Sequence, residues 1–158
     1  MTASPSRTPA RAPALLAALG SALMVAGAFG FQAAGYPPCH LCWLQRYPHF
    51  VAAALGLVLL VVPSRWIMAL GGLAALTTAG LGLYHTGVEQ GWWQGPTSCT
   101  STGIGGLSVD DLMAQINAAP LVQCDVVQWQ LLGLSMASWN ALLSLGLAAL
   151  WLVAFRRS

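Results

Sequence analysis

The sequence predicts an all-α membrane protein, a bundle of four transmembrane helices with a short interfacial helix in its second outward loop. Three observations predict it. Of the 158 residues 57% are hydrophobic and only 6% charged, against roughly 25% charged in a soluble domain. The charges are spaced so that four runs, Ala12 to Gln45, Tyr47 to Ser64, Trp66 to Val88 and Val126 to Phe155, carry none. Each run is long enough for the roughly 17 to 25 apolar residues that a bilayer-spanning helix needs. Finally, five of the six arginines collect on one side of the bundle once those runs are drawn as spans. The same arithmetic excludes intrinsic disorder, a nucleic-acid module and a secreted disulfide mini-protein.

The first span is placed at about Pro13 to Ala33, behind Arg7 and Arg11. A cleaved signal peptide would show the same charge pattern. However, the apolar run from Ala12 to Phe31 exceeds the roughly 7 to 15 residues of a signal core. Losing one span would also put Arg65 or the C-terminal arginines on the wrong side. The second and third spans, about Trp43 to Val62 and Trp66 to His85, are joined by the tight Pro63-Ser64-Arg65 turn. The fourth, about Leu132 to Phe155, is followed by Arg156 and Arg157. The positive-inside rule makes the arginine-rich side cytoplasmic, with both termini inside and two outward loops, about 34–42 and 86–131. Residues 1–158 read as a single integral membrane domain.

The long loop holds all four acidic residues, Glu89, Asp110, Asp111 and Asp125. Within it Ser108-Val109-Asp110-Asp111 reads as a helix N-terminus, with carboxylates placed to suit the dipole, and Pro120 ends the segment. A short helix from about Val109 to Ala118 would turn Leu112, Met113 and Ile116 toward lipid in the interfacial plane. Trp92, Trp93 and Trp129 match an aromatic belt. Within the spans, the pairs Ala52 and Gly56, Ala75 and Ala79, and Ala137 and Ala141 have the small-residue spacing that lets helices approach closely. Asn140 and Ser144, one turn apart, can bond across to a neighbouring helix.

Four cysteines, Cys39, Cys42, Cys99 and Cys124, all fall on the outward side. That segregation to one compartment points to two disulfides or redox pairs, of which the local pairing, Cys39 with Cys42 and Cys99 with Cys124, is preferred over the two others. Two inert staples are the plain alternative. The surroundings argue for more: Cys42, Gln45, Arg46 and His49 follow at helical spacing and would form one polar stripe at the membrane surface. A helix N-terminus and an arginine both favour a thiolate, and Arg46 can polarise a carbonyl oxygen as electrons arrive. Pro48 weakens the stripe if the regular helix begins only near Tyr47. An all-cysteine zinc site would call for a second C-x-x-C, which Cys99 and Cys124 do not form, so no metal is expected. His85, with Glu89 one turn on, reads as interfacial, a ligand or an acid-base group. His40, His49 and His85 are all expected near the outer surface.

Pro38-Cys39-His40-Leu41-Cys42-Trp43-Leu44-Gln45-Arg46 resembles the P-C-x-L-C-x-x-[EQ]-R signature of the DsbB family of inner-membrane disulfide bond formation proteins. The four spans, the loop pair, the stretch Tyr84 to Cys99 and that from Cys124-Asp125 to Asn140 are similar as well. The resemblance implies a quinone-dependent protein-disulfide oxidoreductase of the bacterial inner membrane with its cysteines periplasmic. Its expected partner is a periplasmic DsbA-like thiol oxidase, and its cofactor a membrane quinone, ubiquinone or menaquinone. By the same resemblance Cys99 forms the mixed disulfide with the partner and Cys124 is its mate. Electrons then reach Cys39 and Cys42, Cys42 engages the quinone, and Arg46 and His85 line its site. Gln45 stands where some members carry Glu. A thiol oxidoreductase of the vitamin K epoxide reductase type also combines four helices with C-x-x-C, but the position of the motif after the first span disfavours it. A non-catalytic stapled or zinc-binding membrane protein is the reading from another class.

Overall fold

The computed structural model describes residues 8–100, 108–118 and 122–158. Among these residues five helices follow in order: α1 (Thr8–Ala33), α2 (His40–Val61), α3 (Arg65–Glu89), α4 (Val109–Ala118) and α5 (Met136–Arg157). A ribbon of two short strands, β1 (Gln130–Leu131) and β2 (Leu134–Ser135), immediately precedes α5. Helices α1, α2, α3 and α5 are long and apolar enough to cross a membrane, so the chain is a multi-pass membrane protein. They pack as a ring in which α1 and α3 each contact both α2 and α5, while α1 and α3 face each other across the diagonal.

The packing is inside-out relative to a soluble bundle. Ala52, Gly56, Ala75, Ala79, Ala137 and Ala141, the small residues singled out by spacing, are all buried. Large aliphatic side chains such as Leu57, Leu60, Leu73 and Leu83 face outward. Lipid is as apolar as leucine, so burying leucine gains little, whereas small residues let backbones approach and gain van der Waals contact. At the Pro63 end, Ala14, Ala17, Leu59, Met68, Ala75 and Ala154 pack around the fully buried Trp151. Gly71 makes room for that indole: a Cβ there would lie 2.5 Å from the ring.

Four boundaries differ from the sequence expectation. Helix α1 reaches back to Thr8 and takes in Pro13. Helix α2 begins at His40, ahead of Trp43, because the sulfur of Cys39 acts as its N-cap and accepts the N–H of Cys42 at 3.2 Å. Pro48 lies inside α2 without ending it, although it leaves the Leu44 carbonyl without its in-helix donor. In the turn before it, the Thr78 hydroxyl donates to the Gln45 carbonyl at 3.0 Å. Helix α3 runs past His85 to Glu89, so Glu89 belongs to a span rather than to the loop. Gly91, with φ +69°, stops it, and the N–H groups of Gly91 and Trp92 return to Val88 O and Gly87 O in the paired bonds of a Schellman motif.

The last span starts at Met136 rather than Leu132. Leu132 and Gly133, at φ 54° and 78°, form the two-residue turn of a hairpin that pairs Leu131 with Leu134 and Gln130 with Ser135. Two consecutive positive φ values match the twist of a tight hairpin, and the Ser135 hydroxyl then caps α5 by accepting from Ser138 N–H at 3.2 Å. Helix α4 forms over Val109–Ala118 as expected, with Val109 and Met113 exposed. The side chains of Leu112 and Ile116, like Pro120 and Arg7, lie outside the described residues.

Candidate redox site at one end of the bundle

The cysteine end of the bundle is built on the starts of α2 and α5 and the end of α3. Cys99 and Cys124 form a disulfide, with Cα atoms 5.3 Å apart, that ties together the two arms of the loop around α4. Cys39 and Cys42 are thiols. Cys39, Cys99 and Cys124 pack with Leu41 and Val88 in one buried cluster, so the folded chain brings together two pairs that are distant in sequence. The sulfurs of Cys39 and Cys124 and a ring nitrogen of His85 lie within 4.8 Å of one another. These are zinc-ligand types, but the Cys124 sulfur is committed to Cys99. The hydrogen bond that Cys39 shares with Cys42 raises the Cys39 thiol above its ordinary value, and burial adds to the rise.

The stripe expected on α2 is present: Gln45, Arg46 and His49 are buried and Cys42 is half-buried. Arg46 is held rather than snorkelling. Its guanidinium donates to Gln32 Oε1 at 2.9 Å and to the Ala28 carbonyl at 3.1 Å, both on α1. It also lies 4.9 Å from the Phe29 ring centre and 4.7 Å from that of Trp43, a geometry in which the ring faces attract the cation.

His85 and His49, expected toward the outer membrane surface, are enclosed between helices, 4% and 3% exposed. His85 Nε2 lies 3.1 Å from the Cys124 carbonyl, 3.7 Å from Cys39 Sγ and 3.9 Å from Glu89 Oε1. Its Nδ1 is 2.9 Å from the Gln45 amide nitrogen. From Gln45 the bonding continues to Asn140 and Thr78, and from Asn140 to His49. The expected cross-helix role of Asn140 and Ser144 is thus real, both reaching His49 on α2. A polar residue in an apolar span is the signal that marked Asn140; the same signal at Gln32 and Thr78 could have found them, and Glu89, noted one turn from His85, has its side chain buried beside that ring. His40, by contrast, is exposed and apart from the network.

Beside these groups is a cavity of about 410 Å3. Cys39, Cys42, Gln45, Arg46, His49, His85 and Glu89 line one wall, and Leu23, Met24, Phe31, Trp129 and Leu143 are among its apolar lining. A mostly apolar recess with a few convergent polar groups is the form of a small-molecule site. Cys42, Arg46 and His85 meet at this one cavity, whereas Cys99 and Cys124 do not line it.

The family model described as disulfide bond formation protein DsbB matches residues 10–154. A protein named disulfide bond formation protein B from Verminephrobacter eiseniae (strain EF01-2) is 35% identical, over 91% of this chain and 86% of its own length. Proteins of the same name from Azoarcus sp. (strain BH72) and Dechloromonas aromatica (strain RCB) are each 31% identical, covering 93% and 96% of this chain and 95% and 96% of their own. No solved structure matches the chain.

Proposed function

The chain belongs to the DsbB family of disulfide bond formation proteins, and from that premise we propose that it reoxidises a periplasmic DsbA-like thioredoxin-fold protein at the expense of a membrane quinone, ubiquinone or menaquinone. It would do so as one integral membrane domain of the bacterial inner membrane, with both termini cytoplasmic and the cysteines periplasmic. The observation that carries the reading is the contact of the two cysteine pairs beside His85, with only the inner pair opening on the cavity.

A thiolate of the reduced partner attacks Cys99, forming a mixed disulfide and releasing the electron pair onto Cys124. The second partner thiol then displaces Cys99, and the partner leaves oxidised. Cys124 attacks Cys39 of the oxidised inner pair, which breaks the Cys39–Cys42 bond and leaves the charge on Cys42 at the cavity wall. Cys99 closes back on Cys124 and releases Cys39, so one disulfide has moved outward and one dithiol remains inside. A bound quinone supplies the acceptor for that dithiol's two electrons and two protons, and Cys42, Arg46 and His85 would hold it. The residues fit: the fixed guanidinium of Arg46 offers a preorganised positive group where negative charge would develop on an oxygen. A strong acceptor is needed because a DsbA-like oxidase has a potential of about −120 mV, well above that of glutathione.

Anaerobic mixing of the oxidised, detergent-purified protein with a reduced DsbA-like protein and each quinone tests the reading through quinone absorbance. Partner-dependent quinone loss is expected. None with either quinone, from protein whose Cys99–Cys124 bond is intact, overturns it in favour of a stapled or metal-binding role. Arg46→Ala should slow quinone loss about ten- to hundredfold, the size of one or two charge-assisted hydrogen bonds, while both disulfides still form. Unchanged quinone kinetics would remove Arg46 from the site.

A further inference from the structure

Gln45, Asn140, Thr78 and His49 take no covalent part in the relay, yet their bonding fixes where protons sit. A backbone carbonyl only accepts, so the Gln45 atom 3.0 Å from Leu41 O is the amide nitrogen, and the Asn140 atom 3.3 Å from Thr78 O is likewise nitrogen. The same Gln45 nitrogen is 2.9 Å from His85 Nδ1, so Nδ1 accepts and the ring proton is on Nε2. Asn140 guards that orientation. Its Nδ2 donates to Gln45 Oε1 at 2.8 Å, and turning the Gln45 amide over would set two donors face to face. The Nε2–H then meets the Cys124 carbonyl at 3.1 Å, closer than Cys39 Sγ or Glu89 Oε1.

We propose that Gln45 and Asn140 are positioning residues that lock His85 as an Nε2–H donor to the Cys124 carbonyl, and that this bond latches the loop cysteine pair against Cys39. The proton assignment is independent of the relay, whereas its value for exchange between Cys124 and Cys39 rests on the function proposed above. A carboxylate at position 45 accepts only, so Gln45→Glu calls for a proton on Nδ1, which a neutral ring can supply only by giving up the one on Nε2. Asn140→Asp acts one residue further off: the Gln45 nitrogen turns toward the new carboxylate and its oxygen toward Nδ1.

The test uses full-length protein in detergent with 15N-labelled histidine, the His85 signals being assigned by their loss in His85→Asn. In the wild type, Nδ1 should be bare and Nε2 protonated; in Gln45→Glu and Asn140→Asp, Nδ1 should gain the proton. In parallel, Cys42→Ser with Cys99→Ser leaves only Cys39 and Cys124, whose disulfide is driven by a diazene oxidant that takes up the two electrons and two protons. Adding Gln45→Glu or Asn140→Asp should slow that cross-link roughly tenfold wherever Nε2 has lost its proton. A proton on Nδ1 in the wild type, or a bare Nδ1 in both variants, overturns the lock. Unchanged cross-linking with Nε2 stripped overturns the latch. Absence of quinone-coupled turnover in the wild type, with protons and cross-linking as expected, counts against the relay and leaves the latch standing.

Discussion

Cys42→Ser should stop the quinone-coupled turnover proposed above, slowing it by about a thousandfold or more, and leave one round of partner oxidation behind. The Cys99–Cys124 disulfide does not involve Cys42 and is expected to form in the variant, so each chain should still oxidise one equivalent of reduced partner. The chain then stalls. Cys39 without Cys42 has no disulfide to offer Cys124, and the half-buried Cys42 is one of only two cysteines on the cavity wall. Stopped-flow measurement of oxidised partner should show a burst of one equivalent per chain followed by no steady state, with quinone absorbance flat throughout. Steady quinone loss in this variant would take Cys42 out of the relay and put Cys39 or the loop pair in contact with the acceptor.

Trp151→Ala should destabilise the bundle by about 3 to 5 kcal/mol, the range for deleting a buried aromatic side chain. The indole is fully buried and its N–H has no partner, so no hydrogen bond is lost and the cost is one of packing. Most of the wall cannot close the void: Gly71, Ala14, Ala17, Ala75 and Ala154 have no rotatable side chain to swing into it, which leaves Leu59 and Met68 to fill it only in part. Thermal unfolding in detergent measures the loss. Because Trp151 sits at the end of the bundle away from the cysteines, protein still folded at low temperature should reduce quinone at the wild-type rate. A change below about 1 kcal/mol would show that α1, α3 and α5 simply collapse onto one another.

The spans were legible because bilayer thickness leaves a coarse record, a run of about 20 apolar residues, that charges interrupt cleanly. Their ends were less so. Leu131-Leu132-Gly133-Leu134 is as apolar as the helix it precedes, and only Gly133 followed by Ser135 marks the hairpin and cap that delay α5 to Met136. The start of α2 at His40 is hard to see in the sequence because cysteine is not among the usual N-cap residues, yet the Cys39 sulfur fills that role. The stripe Cys42, Gln45, Arg46, His49 was visible, since helical spacing is a local property. What the stripe bonds to was not. Gln32 and Ala28 on α1, Thr78 on α3 and Asn140 on α5 come from three other helices, and which helices adjoin is a matter of tertiary packing.

The bonds among Gln45, Thr78, His85, Asn140 and His49 tie α2, α3 and α5 together over about two helical turns. Small-residue faces repeat every turn, so such helices could slide past one another by one pitch, about 5.4 Å, and meet an almost equivalent surface. The polar bonds break that degeneracy, because a slipped register would strand amides and imidazoles in hydrocarbon, where each unmet group costs several kcal/mol. They therefore serve as a depth gauge. By fixing how far α2 stands out relative to its neighbours, they fix the level of the Cys39-Cys42 turn, and in the relay proposed above a thiol reached from two sides could not tolerate an error of one turn in either direction.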